Sequence, residues 1–292
     1  MGCNMFCYQC EQTAKGQGCT TMGVCGKEPE TAKMQDLLLW QAKGIAMYAH
    51  RAGLRDAGTD HFILEALFTT VTNVNFDAAT IEAIIRKGQQ VKEKARAAYE
   101  RTGGKPLSGP AAWVPPAGTA ALLNEACDRG IEARKKALGD DAAGLQELLV
   151  YGLKGMAAYA DHAMILGQED PKVYAFFHEA LDFLARENPT VDELIGYNMR
   201  CGEVNLRVME LLDKANTGAY GTPQPTPVRV TPLKGKALLV SGHDLKDLEN
   251  ILKQTEGKGI NVYTHGEMLP AHGYPGLKKY KHLAGNYGGA WQ

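Results

Sequence analysis

Residues 35–50, QDLLLWQAKGIAMYAH, and residues 146–161, QELLVYGLKGMAAYAD, are two copies of one pattern set 111 positions apart. Leu38, Ala42, Ile45 and Ala49 in the first copy correspond to Leu149, Leu153, Met156 and Ala160 in the second. Apolar residues at intervals of three and four mark one face of a helix, so both copies predict a core-facing helix. Lys43-Gly44 repeats as Lys154-Gly155, and Tyr48 as Tyr159. Glu65-Ala66-Leu67 resembles Glu179-Ala180-Leu181, and each copy ends in a further amphipathic stretch, Asp77 to Arg101 and Thr190 to Asn216. Two copies without a third predict a pair of related three-helix bundles rather than a solenoid.

The punctuation of the chain agrees with that division. RTGGKPLSGPAAWVPPAG (residues 101–118) is dense in Pro and Gly and predicts a long connection; one extra helix is expected from Thr119 to Leu138. NTGAYGTPQPTPVRVTPLKG (residues 216–235) marks a sharper change of class. Beyond it, KALLVSG reads as a buried strand, DLKDLENILKQTEG as an amphipathic helix and INVYTHGE as a second strand, a βαβ unit with parallel strands. Only two strands are legible there. Two parallel strands leave open edges, so the pattern predicts an α/β domain that is cut short or completed by another polypeptide. The expected fold is therefore multidomain, α plus α/β. It comprises a cysteine-rich segment (1–29), a helical domain (30–218, bundles at 30–102 and 141–218) and a partial Rossmann-like parallel α/β domain (226–292).

Seven cysteines occur in the 292 residues, five of them in the first 25. Cys7, Cys10, Cys19 and Cys25 form a C-x2-C-x8-C-x5-C pattern with Gly16, Gly18, Gly23 and Gly26 around them. Such a thiolate quartet holds an iron–sulfur cluster or zinc, or pairs as disulfides. In a cytoplasmic chain, metal is expected over disulfides. Cys3 reads as a terminal thiol, and Cys127 and Cys201 as small apolar helix residues.

Net charge is −1, which argues against nucleic acid or an anionic membrane surface as the main partner. No basic start followed by an apolar run opens the chain, and no apolar run is long enough to span a bilayer, so a cytoplasmic location is expected.

His243 and Glu267 stand at or just past the carboxyl ends of the two expected strands, where open α/β sheets bind ligands. An imidazole and a carboxylate meeting there suit iron or zinc. The plainer alternative has Asp244 capping the following helix and Glu267 solvated. His265 and Glu267 also spell H-x-E, but the downstream P-C-x-x-C that a zinc deaminase needs is absent.

MFCYQCEQTAKGQGCTTMGVCGK, QDLLLWQAKGIAMYA and the run from SGHDLKDLENILKQTEG through THGEMLPAHGYPG to AGNYGGAW together resemble the hybrid cluster protein family, also called prismane proteins or hydroxylamine reductases. The resemblance implies that Cys7, Cys10, Cys19 and Cys25 ligate a 4Fe-4S cluster. It implies that His243 and Glu267 are two ligands of a hybrid 4Fe-2O-2S cluster. The remaining family ligands are cysteines and a further glutamate, and no cysteine follows Cys201 here. The implied activity is an oxidoreductase's: reduction of hydroxylamine to ammonia and water, with electrons arriving from a redox-protein donor through the 4Fe-4S cluster. The alternatives are nitric oxide reduction, a protein S-nitrosylase role in nitrosative stress, or an electron-transfer or structural fragment without catalysis. Carbon monoxide dehydrogenases share the general architecture but differ in the N-terminal cysteines.

Overall fold

The computed structural model describes residues 4–289. The chain divides into two compact units, the first comprising residues up to 161 and 170–208, the second residues 162–169 and 209 onward.

The first unit is helical. It contains α1 (Pro29–Arg51), α2 (Ala57–Thr69), α3 (Ala78–Arg101), the short α4 (Thr119–Glu125) and α5 (Ile131–Leu138), α7 (Pro171–Phe183), and most of α6 (Asp140–Ile165) and of α8 (Val191–Tyr220). Aspartates set the helix starts. Asp56, Asp77 and Asp170 each accept a backbone N–H from the first turn of α2, α3 and α7. The extra helix expected from Thr119 to Leu138 is instead two helices with a 3-10 turn, Ala126–Asp128, and Arg129-Gly130 between them. Gly130 continues with ψ near 180°, an extended conformation that ends the helical run.

The repeated stripe is buried in both copies: Leu38, Ala42, Ile45, Ala49, Leu149 and Leu153 are fully enclosed, Met156 and Ala160 nearly so. α1 exceeds the one-sided expectation. Packed by α2, α3 and α7, it is enclosed on almost every face, including Gln35, Gln41 and Lys43. Gly44 permits this, because a Cβ there would stand 2.3 Å from the Pro110 carbonyl oxygen of the Pro/Gly-rich connection. Asp182 of α7 ties to the end of α1, accepting from Arg51 at 2.7 Å and lying 2.9 Å from His50 Nδ1.

The second unit holds β1 (Lys236–Val240), α9 (Leu245–Thr255), β2 (Ile260–His265), a 3-10 segment (Gly266–Gly273), α10 (Pro275–Lys278) and β3 (Leu283–Tyr287). The sheet is parallel throughout, in the order β1-β2-β3, so a third strand joins the two expected from sequence. Its core is Tyr220, Leu248, Leu252, Val262, Met268, Ala271, Leu277 and Tyr280. Leu248 and Leu252 are the apolar face of α9. β1 is one of the two edge strands, with Leu238 and Leu239 exposed. A helical duplication followed by parallel α/β structure is the fold class the sequence predicts.

Candidate metal centre

The cysteine segment is folded by its own backbone. Cys7 and Cys19 form an isolated antiparallel bridge, Cys7 N–H donating to Cys19 O at 3.1 Å and Cys19 N–H to Cys7 O at 2.8 Å. Between them, Thr13 donates through Oγ1 and N–H to Cys10 O, and a 3-10 turn follows at Ala14–Gly16. The four thiols Cys7, Cys10, Cys19 and Cys25 are free, which disfavours the disulfide alternative. Cys127 lies in the 3-10 turn Ala126–Asp128 rather than in an α-helix. Cys3 lies outside the described residues. Cys201 is a core residue: its thiol is buried beside Met156 Sδ and pushed up to about 11 by burial.

The surroundings of the thiols suit bound thiolate. The Ala14 N–H points at Cys19 Sγ from 3.5 Å. Lys27, 1% exposed, sets its ammonium 3.9 Å from Cys7 Sγ and donates to Gln35 Oε1 at 2.8 Å. A Cβ at Gly23 would stand 3.1 Å from Cys25 Sγ, so glycine keeps that side of the sulfur clear. In donor type and electrostatics, these residues fit a thiolate-held metal. Among the described residues, no group of three or more His, Cys, Asp or Glu side chains gathers closely enough to hold an ion.

Behind the thiols lies a buried charge network that sequence reading passed over. Arg134 and Glu147 form an ion pair. Burial, the largest cause in each case, pushes Asp36 up to about 6, Lys154 down to about 8 and Tyr8 up to about 12. Cys7 acts electrostatically on both Lys154 and Tyr151. The available signal was the repeat, which carries Lys43 and Lys154 on helices otherwise devoted to core.

In the second unit, strand register places the other pair. Val240 of β1 is paired with Thr264 of β2, and His243 and Glu267 each lie three residues further on. His243 Nε2 contacts Glu267 Oε2, and both side chains are about half exposed. Asp244 caps α9, accepting from Lys246 N–H at 2.7 Å. Capping thus holds alongside the His–Glu meeting, and Glu267 is not merely solvated. At the same sheet edge Ser241 Oγ lies 3.0 Å from His265 Nδ1. Gly288 gives His265 its room, since a Cβ there would be 2.8 Å from the ring.

The Prismane/CO dehydrogenase family profile matches residues 5–292. The chain belongs to the Prismane/CO dehydrogenase family. Within reach of this prismane chain are curated relatives named hydroxylamine reductase. That of Syntrophobacter fumaroxidans is 55% identical over 99% of this chain, and that of Rhodospirillum rubrum 54% identical over 99%. In both cases the chain spans 54% of the relative's length, about half. Among solved structures, carbon monoxide dehydrogenase IV from Carboxydothermus hydrogenoformans aligns over 94% of this chain and 42% of its own, at 20% identity and a TM-score of 0.30, a superposition too loose to support anything further. No helix among the described residues is long and apolar enough to cross a membrane.

Proposed function

We propose that this prismane chain is part of an iron–sulfur oxidoreductase that reduces hydroxylamine. The observation that carries the proposal is the family match over residues 5–292, with relatives of that name at 54–55% identity. In this reading Cys7, Cys10, Cys19 and Cys25 hold a 4Fe-4S cluster through which a redox-protein donor delivers electrons. His243 and Glu267 are this chain's contribution to a second, hybrid iron site. When bound, that iron would supply Lewis-acid attachment for the N–O oxygen and the route for the electrons.

The chain's own residues have definable tasks. Lys27 offsets negative charge at Cys7, and the Ala14 N–H does the same at Cys19. His243 and Glu267 hold one another in place and would be the side chains that hold the metal. The overall change is NH2OH plus two electrons and two protons giving NH3 and H2O. Ser241 and His265, at the same edge, are positioned to exchange protons with solvent.

A specific observation favours a second reading, an electron carrier without reductase activity. The chain spans 54% of the length of the relatives named hydroxylamine reductase, and the second reading takes this half alone as an electron-carrying part. Anaerobic purification followed by hydroxylamine-dependent oxidation of a reduced viologen dye separates the two. Turnover supports the reductase. A chain that takes and gives electrons but leaves hydroxylamine untouched supports the carrier.

A further inference from the structure

The duplication creates a second polar site, opposite in role to the thiol site. At the 111-residue offset, Gln35 corresponds to Gln146, Trp40 to Tyr151 and Lys43 to Lys154. On the cysteine side stand Gln35, Tyr151 and Lys154, one residue from the first copy and two from the second. Gln35 accepts from Lys27, and Cys7 acts electrostatically on Tyr151 and Lys154. The exchanged set, Gln146, Trp40 and Lys43, lines one cavity of about 410 Å³ in the first unit.

On the cysteine side two of the three residues have their polar atoms met, and the Tyr151 hydroxyl is buried without a partner. Lys154 donates to Thr70 O at 2.9 Å, and the Gln35 amide bonds both Lys27 and the Asn75 carbonyl. Lys43 is 2% exposed and lines the cavity. Trp40 Nε1, Arg129 Nε and Arg134 Nε, all from cavity-lining residues, are buried donors without an acceptor. Three buried N–H groups left unmet beside a buried lysine are costly unless a ligand accepts from them. Gln146 Oε1 is the single unmet acceptor beside them.

That inventory selects a ligand rich in acceptors and poor in donors, which is an oxyanion. Basic residues outnumber acidic ones on the wall, with Lys43, Arg129, Arg134 and Arg186 against Asp128 and Glu187. Glu125, Glu147 and Glu193 pair with Arg129, Arg134 and Arg186, and the Nε–H groups of Arg129 and Arg134 remain unused. The volume exceeds the needs of an inorganic ion, and Ala137, Leu138 and Leu184 supply an apolar side. We propose that this cavity binds a small organic anion, its carboxylate or phosphate group held by Lys43, Trp40 and Arg134 and its carbon frame set against Leu138 and Leu184. The site depends on no bound metal, so it stands or falls apart from the iron–sulfur reading.

The test is calorimetric titration of the full chain at fixed ionic strength with inorganic phosphate, phenyl phosphate and succinate. One-to-one binding of phenyl phosphate or succinate is expected, tighter than inorganic phosphate, and the preferred probe tells phosphate from carboxylate. Lys43→Met should weaken binding by at least about tenfold, and Trp40→Phe, which keeps the ring and removes the N–H, by a few-fold. Lys43→Met keeps an apolar stem in a buried slot, and Trp40→Phe is a second variant should it misfold. Lys87→Gln, at an exposed ion pair on α3, should leave binding unchanged. Absence of saturable binding with all three probes, or undiminished affinity in both cavity variants, would overturn the proposal.

Discussion

His243 and Glu267 meet because Val240 and Thr264 are register partners: each functional side chain stands three residues beyond its strand's member of that pair. Parallel strands carry their ends in the same direction, so one hydrogen-bonded register positions both side chains. Asp244, capping α9 directly after His243, fixes the turn on one side, and the 3-10 segment at Gly266–Gly273 fixes it on the other.

Replacing either member should disable the proposed second iron site and spare the first. In His243→Ala or Glu267→Gln, hydroxylamine turnover by the loaded protein is expected to fall by about 100-fold or more. The low-temperature EPR signal of the thiol-bound cluster should persist. Simultaneous loss of that signal in both variants would argue against two separate sites.

Lys27 should tune the thiol site rather than build it. Reduction adds negative charge, which the ammonium 3.9 Å from Cys7 Sγ stabilises. Lys27→Met is therefore expected to shift the cluster's reduction potential to more negative values, on the order of tens of millivolts. Dye-mediated redox titration reads the shift, and an unchanged or raised potential would contradict this role.

How legible the molecule is from sequence depends on which physical rule each part obeys. The stripe from Leu38 to Ala49 and its copy declare themselves because burial on a helix imposes a period on residue type. β3 does not. Its residues Leu283 to Tyr287 include Gly285 and Asn286, which are poor strand formers. Gly285 is required because a Cβ would lie 2.2 Å from the Arg229 carbonyl oxygen, and Asn286 because it bonds Thr264 inside the sheet. Cys7, Cys10, Cys19 and Cys25 draw notice by their spacing. Lys27, Asp36 and Glu147 do not, since a buried charge has no pattern until its partners are known.

Lys43 should leave a mark on stability against pH. Burial, with Arg134 adding to it, lowers its pKa to about 7, while Glu147 and Asp36 oppose the shift. A lysine whose folded pKa is depressed destabilises the fold fully below that pKa, and the penalty fades as pH rises toward the unfolded value of about 10.4. Without added anion, wild-type stability should therefore rise from pH 7 to pH 9 relative to Lys43→Met, by a few kcal/mol at most. Urea unfolding at both pH values measures it. A parallel pair of profiles would contradict the assigned burial of charge.

Two packing predictions concern the first unit alone. Asp182→Asn weakens the Arg51 and His50 contacts at the end of α1 and should cost about 2 kcal/mol. Gly44→Ala drives a Cβ toward the Pro110 carbonyl and should cost about 1–3 kcal/mol. Gly155→Ala, at the repeat-equivalent position with nothing within 4 Å, should be neutral or stabilising. Thermal unfolding of the three variants gives the ranking.

The central claim is that Cys7, Cys10, Cys19 and Cys25 hold an iron–sulfur cluster. Iron, acid-labile sulfide and zinc should be counted in the chain after anaerobic purification, beside Cys10→Ser. The account predicts about four irons and four sulfides at this site, negligible zinc, and loss of that iron and sulfide in the variant. Stoichiometric zinc without sulfide, or a cluster undiminished in Cys10→Ser, would contradict it.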